Sequence, residues 1–445
     1  MSLSTPIWSE AQPQPYTRPP VGMIRSEVAV IGGGLTGLSA AYHLLTRRPG
    51  LRLIVLEAER IGAGASGRTT GILGPGVGQS FVSLIRRFGS EQALALYRAT
   101  LRAVEYVNAL VKREGIDCEL EMTGQLIVAR SPGGRARLSA LSELLCKFEL
   151  PCERLDDEAL ARRIRLNPAR SRERIENGPA GLRLPVAGIL HPVRLLAGLV
   201  ERVEALGGTI FEGARVSEIG MGHPSRLGLS GGGEVLAEEV VIATAGYTPE
   251  LGLLQGRVLP VHLQVLATEP IGESQLSLIG WDGREAVLDA RRLFNYFRLT
   301  SGNQLLFGGG APRYRWRGRT QEDKTGARAA LKRLADEMGR TFPAEMELRV
   351  ARGWTGVIGY VLDTLPSIHY SRGRASVLHA VGWCGHGVAL SVAAGDWIAG
   401  LMCGGDVEET LPWFRKSPPL VPFEPLRWAG FHAGVKMMSW LDHVA

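Results

Sequence analysis

The run Gly32-Gly33-Gly34-Leu35-Thr36-Gly37 limits the fold more than any other part of the chain. It stands between a β-branched, apolar stretch at 27–31 and a helical pattern of apolar residues through Leu35, Leu38, Ala41, Leu44 and Leu45. Gly32, Gly34 and Gly37 take the spacing G-x-G-x-x-G, and each has its own physical task. The first permits a sharp turn out of the strand, the second lets backbone approach a pyrophosphate, and the third allows close helix–strand packing. The helix that starts at Leu35 and Thr36 presents unpaired N–H groups, equivalent to roughly +0.5 charge, to such an anion. A second apolar run, 53–56, ends at Glu57, twenty residues beyond Gly37, so 27–57 forms a βαβ crossover with parallel strands. Glu57, with Ala58 behind it, is placed to accept hydrogen bonds from an adenosine ribose. Its charge repels a ribose 2′-phosphate, which argues against NADP but does not separate NAD from FAD.

Elements of the same kind return after a long excursion: a helix at 194–206, strands at 209–211 and 214–219, and a buried strand at 240–243 leading into Thr244-Ala245-Gly246. Between them lie helical segments near 90–114 and 135–149 and a strand-like piece at 125–129. A β-rich stretch follows through 258–269, 294–300 and 304–307, then a helix near 322–339. The uncharged stretch 375–395 is too rich in glycine for a membrane span and is expected as a strand, a glycine turn and a helix that runs to about 402. With 445 residues the chain exceeds one simple core. The expected class is α/β: a Rossmann-type nucleotide-binding domain on a parallel central sheet, interleaved with an α+β substrate domain on an antiparallel or mixed sheet. Residues 1–26 would form an extended arm; 27–95, 185–250 and 350–407 the nucleotide-binding domain; 96–184 and 251–349 the substrate domain; and 408–445 a C-terminal extension.

Composition narrows the partners. The net charge of +7 comes from scattered residues in a chain poor in aromatics, a bias toward anionic ligands and not a nucleic-acid footprint. Five cysteines without paired metal-ligand spacing read as reduced thiols in a cytoplasmic protein with no metal site. Residues 1–20 hold five prolines and no apolar core of a signal peptide.

Directly after Glu57 the chain reads Ala58-Glu59-Arg60-Ile61-Gly62-Ala63-Gly64-Ala65-Ser66-Gly67-Arg68-Thr69-Thr70-Gly71. This resembles the signature of the D-amino-acid oxidase/glycine oxidase superfamily of FAD-dependent oxidoreductases, above all the branch that includes gamma-glutamylputrescine oxidoreductases. Three further stretches fit the same family: 240–246 ahead of Tyr247, Trp354-Thr355-Gly356 leading to Asp363-Thr364-Leu365-Pro366, and Gly382-Trp383-Cys384-Gly385-His386-Gly387. The resemblance implies FAD. It implies Ser66, Gly67 and Arg68 near the FAD phosphates or ribityl chain, with a surface ion pair as the other role for Arg68, and Thr69, Thr70 and Gly71 beside the isoalloxazine ring. Val216 would give backbone contacts to adenine or be an ordinary buried valine, and Ala245, Gly246 and Trp354 complete the cofactor contacts. Gly385, His386, Gly387 and Val388 open the last helix, whose dipole would face the pyrimidine edge of the flavin, where negative charge appears on reduction. His386 would touch flavin or substrate, or cap the helix. Relatives with covalent flavin use a cysteine or histidine near the ring; Arg68-Thr69-Thr70 offers neither, so the FAD is expected to be non-covalent.

The implied reaction is oxidation of the C–N bond of a primary or secondary amine or amino acid, by hydride transfer to flavin N5 and hydrolysis of the resulting imine, with O2 or another electron acceptor. Alternation along 294–300 puts Tyr296, Arg298 and Thr300 on one strand face. Arg298 could grip a substrate carboxylate at two points, with Tyr296 and His386 as the other catalytic candidates. Counting back from Gly308-Gly309-Gly310, however, the carboxylate-binding arginine of glycine oxidases falls at Thr300. His262, Gln264 and Trp354 are further pocket candidates. The alternative is a flavin-binding sensor or assembly subunit without turnover.

Overall fold

Two eight-stranded sheets organise the computed structural model, which describes residues 3–11, 19–167, 178–220, 222–405, 407, 411–415, 417–421 and 423–444. The first sheet grows outward from the strand Met23–Ile31. Its last residues are apolar on both faces, as a strand covered on both sides must be, and Val30 pairs with Val55 on one side and Val241 on the other, all parallel. The full order is Ser367–Ser371, Arg374–Val381, Glu234–Ile242, Met23–Ile31, Leu53–Leu56 and Thr209–Phe211, with the first of these antiparallel at the edge. A short antiparallel pair, Val216–Ile219 and Ser225–Leu229, extends from Glu234–Ile242.

The helices Leu35–Arg47, Pro192–Ala205 and Gly387–Cys403 share one apolar core with this sheet. Two of them cross in backbone contact. A Cβ on Gly395 would stand 2.4 Å from the Ser39 carbonyl carbon, and the Ser39 hydroxyl donates to the Val392 carbonyl at 2.6 Å. That close crossing fixes the helix starting at Leu35 against the helix starting at Gly387.

The second sheet runs Val350–Tyr360, Leu259–Pro270, Gln304–Tyr314, Tyr296–Leu299, Ala286–Asp289, Gln125–Val128, Gly181–Leu184 and Glu153–Leu155. All neighbours are antiparallel except Ala286–Asp289 with Gln125–Val128. The helix Lys324–Thr341 covers one face, where Phe297 stacks on Phe307 with ring centroids 5.6 Å apart. The opposite face carries Arg298 toward the first sheet.

The mixed α/β class with one mainly parallel and one mainly antiparallel sheet is the expected one. Several boundaries differ. Val350–Tyr360, expected with the nucleotide-binding part, pairs along its length with Leu259–Pro270, because its backbone completes the edge of the second sheet. The helix expected at 90–114 is Phe81–Glu114, interrupted at Gly89 (φ 78°), and it runs through the expected boundary at 95 without a break. Of the strand expected at 214–219, only residues from Val216 are strand, because the Gly213 and Ala214 amides donate to the Glu59 and Glu57 carbonyls. The N-terminal arm is not simply extended: Ile7–Ala11 is a 3-10 turn whose Trp8 is 3% exposed, since its indole finds both an apolar bed and a hydrogen-bond acceptor. Part of that arm, 12–18, lies outside the described residues. The stretch 375–395 folds as strand, glycine turn and helix, and no described helix is long and apolar enough to cross a membrane.

Gly395→Ala should lower the unfolding free energy by about 1–3 kcal/mol through forced separation of the two helices. Gly339→Ala, on an exposed helix position with nothing within 4 Å of the new methyl, should instead raise it by about 0.5–1 kcal/mol. Urea unfolding of both variants checks the pair, and equal shifts would contradict the close crossing.

Candidate active site

At the start of the helix Leu35–Arg47 the N-cap is Gly34, extended and without a side-chain cap. A Cβ on Gly37 would lie 1.9 Å from the Gly32 carbonyl, and one on Gly34 would lie 2.9 Å from Ser66 Oγ. The glycine spacing therefore does here what it was expected to do: it brings turn and helix into contact and leaves a backbone cradle. Glu57 closes the cradle, accepting from the Gly33 amide at 2.8 Å and the Glu59 amide at 3.0 Å, with Ala58 between. Burial raises its carboxyl pKa and those backbone hydrogen bonds oppose the rise. Val216 follows two residues after Ala214, which is tied to Glu57, and its side chain is 5% exposed in the apolar cluster beneath.

Ser66 reaches over the same helix start, its hydroxyl accepting from the Leu35 amide at 3.1 Å. Gly67 packs on the Gly62 carbonyl. Arg68 makes no ion pair among the described residues: Nε donates to the Ala63 carbonyl at 2.6 Å and Nη1 to the Thr355 carbonyl at 3.0 Å. Its own carbonyl accepts from the Trp354 indole at 2.9 Å, and Trp354 is fully buried. Thr69 offers its carbonyl to the Trp8 indole at 2.8 Å, while Thr70 is buried and offers its carbonyl to Arg298. Gly71 has φ +76° and lies against the Leu190 carbonyl, a position any side chain would fill.

The segment continues to Gly76, where a Cβ would stand 3.6 Å from His386 Cδ2. Cys384 (φ +48°) and Gly385 (φ +90°) turn the chain into the helix Gly387–Cys403, with His386 at its N-cap making no side-chain cap. Val388 is buried just inside. His386 Nδ1 is buried without a hydrogen-bond partner among the described residues, and burial lowers the imidazole pKa, so the ring is neutral at physiological pH. The residues from Ser66 to Gly76 thus connect one helix start to the other. An orphaned ring nitrogen and a glycine-lined backbone cradle fit a bound dinucleotide bearing a flat polar ring. Ala245 (φ +45°) and Gly246, packed on the Ile358 carbonyl, join the first sheet to Val350–Tyr360 nearby.

Arg298 departs from the expected substrate clamp. It is 3% exposed, and its Nε, Nη1 and Nη2 donate to the carbonyls of Thr70 (2.5 Å), Leu299 (3.1 Å) and Leu190 (2.7 Å). Three of its donors are therefore committed to backbone, which makes it a positioning residue for the 69–71 segment. Thr300 closes the hairpin, its hydroxyl accepting from the Gln304 amide at 3.0 Å. Tyr296 lies flat on Gly308, and burial pushes its hydroxyl pKa up to about 12. Gln264 donates to the Gly309 carbonyl at 2.5 Å and lines a cavity of about 210 Å³ with Leu334, on the helix-covered side of the sheet. His262 is fully buried between Glu322, at 3.3 Å, and the Arg319 carbonyl, at 3.0 Å.

Glu322 and Trp8 have no signal in the sequence pattern. Burial pushes the Glu322 carboxyl up, but hydrogen bonds from His262 and Thr355 and the charge of Arg313 outweigh it and hold the pKa down to about 2. Thr355 thereby links this carboxylate to the backbone that holds Arg68.

Together, a glycine-cradled helix start on a parallel sheet, a second helix start at His386, and an antiparallel sheet whose Arg298 holds the segment running between them define a dinucleotide-binding oxidoreductase. Comparison makes this specific. The family model "DAO: FAD dependent oxidoreductase" matches residues 27–401, and the chain belongs to that family; its cofactor is FAD. Gamma-glutamylputrescine oxidoreductase of Escherichia coli is 30% identical over 389 residues, covering 86% of this chain and 84% of the relative. The probable oxidoreductase OrdL of Haemophilus influenzae is 26% identical, covering 97% and 96%. The crystal structure of glycine oxidase from Geobacillus kaustophilus superposes with a TM-score of 0.70 at 21% identity, over 88% of this chain and 99% of that one.

Gly34→Val fills the cradle, so the purified variant should be colourless and lack FAD; stoichiometric flavin in it would exclude this site. Glu322 has a folded pKa below the ordinary 4.5, so its contribution to stability is present above that value and lost as the pH falls toward about 2. Urea titrations should show the stability gap between the wild type and Glu322→Gln narrowing as the pH falls below about 4.5.

Proposed function

We propose that the protein oxidises the C–N bond of a primary or secondary amine or an amino acid, with FAD held non-covalently along residues 32–37, 57–58, 66–71 and 385–388. One observation carries this reading: the Ser66–Gly76 segment runs from the start of the helix Leu35–Arg47, suited to a pyrophosphate, to that of the helix Gly387–Cys403, suited to the polar edge of a ring. Bound there, FAD supplies the hydride acceptor. The chain supplies orientation and field. The open N-terminus at Gly387 favours negative charge at the ring edge, and neutral His386 presents Nδ1 to a hydrogen-bond partner without adding charge. Tyr296 stays protonated and is available as a donor. Buried Trp8 and Trp354 exclude water behind the 68–71 backbone.

Cys384 supports non-covalent attachment. Its Sγ accepts from the Val361 amide at 3.4 Å within an apolar cluster, and burial pushes the thiol pKa to about 12, leaving no thiolate to attack a ring. Five free cysteines support a cytoplasmic setting.

Anaerobic addition of the right amine should bleach the visible flavin absorbance, and re-admission of air reports whether O2 serves as acceptor. A chain that keeps its colour against a broad panel of amines and amino acids would be a flavin-binding subunit instead. Acid precipitation should leave a yellow supernatant over a pale pellet. Because Arg298 grips backbone, Arg298→Lys should weaken FAD binding and lower kcat/KM by roughly tenfold or more for carboxylated and uncarboxylated amines alike. A loss confined to carboxylated amines would restore Arg298 as the substrate clamp.

A further inference from the structure

The C-terminal helix Glu424–Val444 lies beyond the part of the chain that matches the family, and nothing in the proposed chemistry uses it. Its inner face is firmly docked. Phe431 packs on Tyr314 with ring centroids 5.7 Å apart, Val435 is buried, and the Asp442 carboxylate accepts from the Arg292 and Leu293 amides at 3.0 and 2.9 Å. The outer face is also apolar. Leu426, Ala429, Ala433, Met437 and Trp440 follow one another at helical spacing, all of them exposed. Leu426, Met437 and Trp440 are 62%, 58% and 61% exposed, and Phe423, one residue before the helix, is 65% exposed. A helix apolar on both faces is one that expects to be covered.

Cations are the more exposed charges on this helix and the adjoining turn, although Glu250, paired with Arg215, lines the same cleft as Arg317 and Arg319. Lys436 is exposed on the helix, whereas its two carboxylates are turned inward: Glu424 bonds Tyr314 and Arg427, and Asp442 bonds Arg292. The neighbouring turn reads Arg315-Trp316-Arg317-Gly318-Arg319, and its Trp316 ring stands 6.3 Å from that of Trp428 on the helix. Arg317 and Arg319 are exposed and make no ion pair among the described residues. Trp316 and Trp428 form one exposed aromatic pair beside the arginine turn, and Phe423, Leu426, Met437 and Trp440 add exposed apolar side chains along the helix. Amphipathic aromatic rings beside cations suit the boundary between acyl chains and anionic headgroups.

We propose that this face docks the enzyme on an anionic phospholipid surface, with the C-terminal helix lying in the plane of the interface. The docking is peripheral and needs no spanning segment. It also places the cleft of about 600 Å³ lined by Tyr314, Arg319, Glu424 and Arg427 beside the lipid boundary.

Flotation of the FAD-loaded, full-length protein with vesicles tests this. It should rise with vesicles of phosphatidylcholine mixed equally with phosphatidylglycerol and stay behind with phosphatidylcholine alone, and added salt should release it. Met437→Ser combined with Trp440→Ser, and separately Arg317→Glu combined with Arg319→Glu, should each reduce partitioning by at least about tenfold. FAD content, thermal unfolding and flavin reduction in solution should stay at wild-type levels, which separates this surface from the active site. Absent binding, or equal binding to both vesicle types, overturns the proposal. So does a stable dimer in light scattering that Met437→Ser with Trp440→Ser dissolves, because a second copy would then cover the face.

Discussion

The buried guanidinium of Arg298 is the interaction on which the site's geometry depends. Removing a cation from water is costly unless its donors are satisfied. Here three donors meet carbonyls from three stretches of chain: Thr70 in the segment after the nucleotide-binding strands, Leu190 just ahead of the helix Pro192–Ala205, and Leu299 on its own strand. Burial pulls its pKa down to about 10, still well above neutrality, so the group remains charged, and the Trp8 ring lies 5.4 Å from its central carbon. One side chain of the second sheet therefore sets where the 69–71 backbone stands relative to the first.

That placement gives the two helix starts a common purpose. The contact between Gly395 and Ser39 fixes the helices relative to each other, and the Ser66–Gly76 segment, pinned at its middle by Arg298 and Trp8, runs from one start to the other. Fixed dipoles already aimed at an anionic diphosphate and at a ring edge need not reorganise when charge arrives, which is the economy of electrostatic preorganisation. The Arg68, Thr355, Glu322 and His262 chain supports the same backbone from behind. Polar groups there are bonded to one another and to carbonyls, a stiff arrangement in a low-dielectric interior.

The N- and C-terminal segments show how the molecule extends its core fold. Trp8 fills a place in the cluster of Val193, Val265, Ala267, Leu306 and Trp354, so the arm before the first strand closes the inner side of the second sheet. The C-terminal helix closes an outer side, seating Phe431 on Tyr314 and Tyr360 and leaving its opposite face to another surface.

Local chemistry was legible where one stretch of chain contains all the parts. Strand, Gly32-Gly33-Gly34, helix and Glu57 lie within 27–57, and the side-chain hydrogen bonds that shape the cradle are made inside that unit or to Glu59 and Ser66 close by. The alternation that places Tyr296, Arg298 and Thr300 on one face is likewise local, as is the turn from Cys384 to Gly387. What Arg298 and Arg68 hold could not be read this way. A free guanidinium and one bonded to carbonyls of residues 228 or 287 positions away look identical in sequence, and the choice between substrate carboxylate and backbone is made only when the two sheets meet. The same is true of Glu322, whose low pKa arises from His262, Arg313 and Thr355 on three different strands. The sequence by itself determined the βαβ unit, its preference for a dinucleotide and the α/β class, because periodicity and turn chemistry act over short spans. Tertiary structure alone decided which buried charges serve the backbone and which face stays open, because burial and pairing depend on what long-range packing brings alongside.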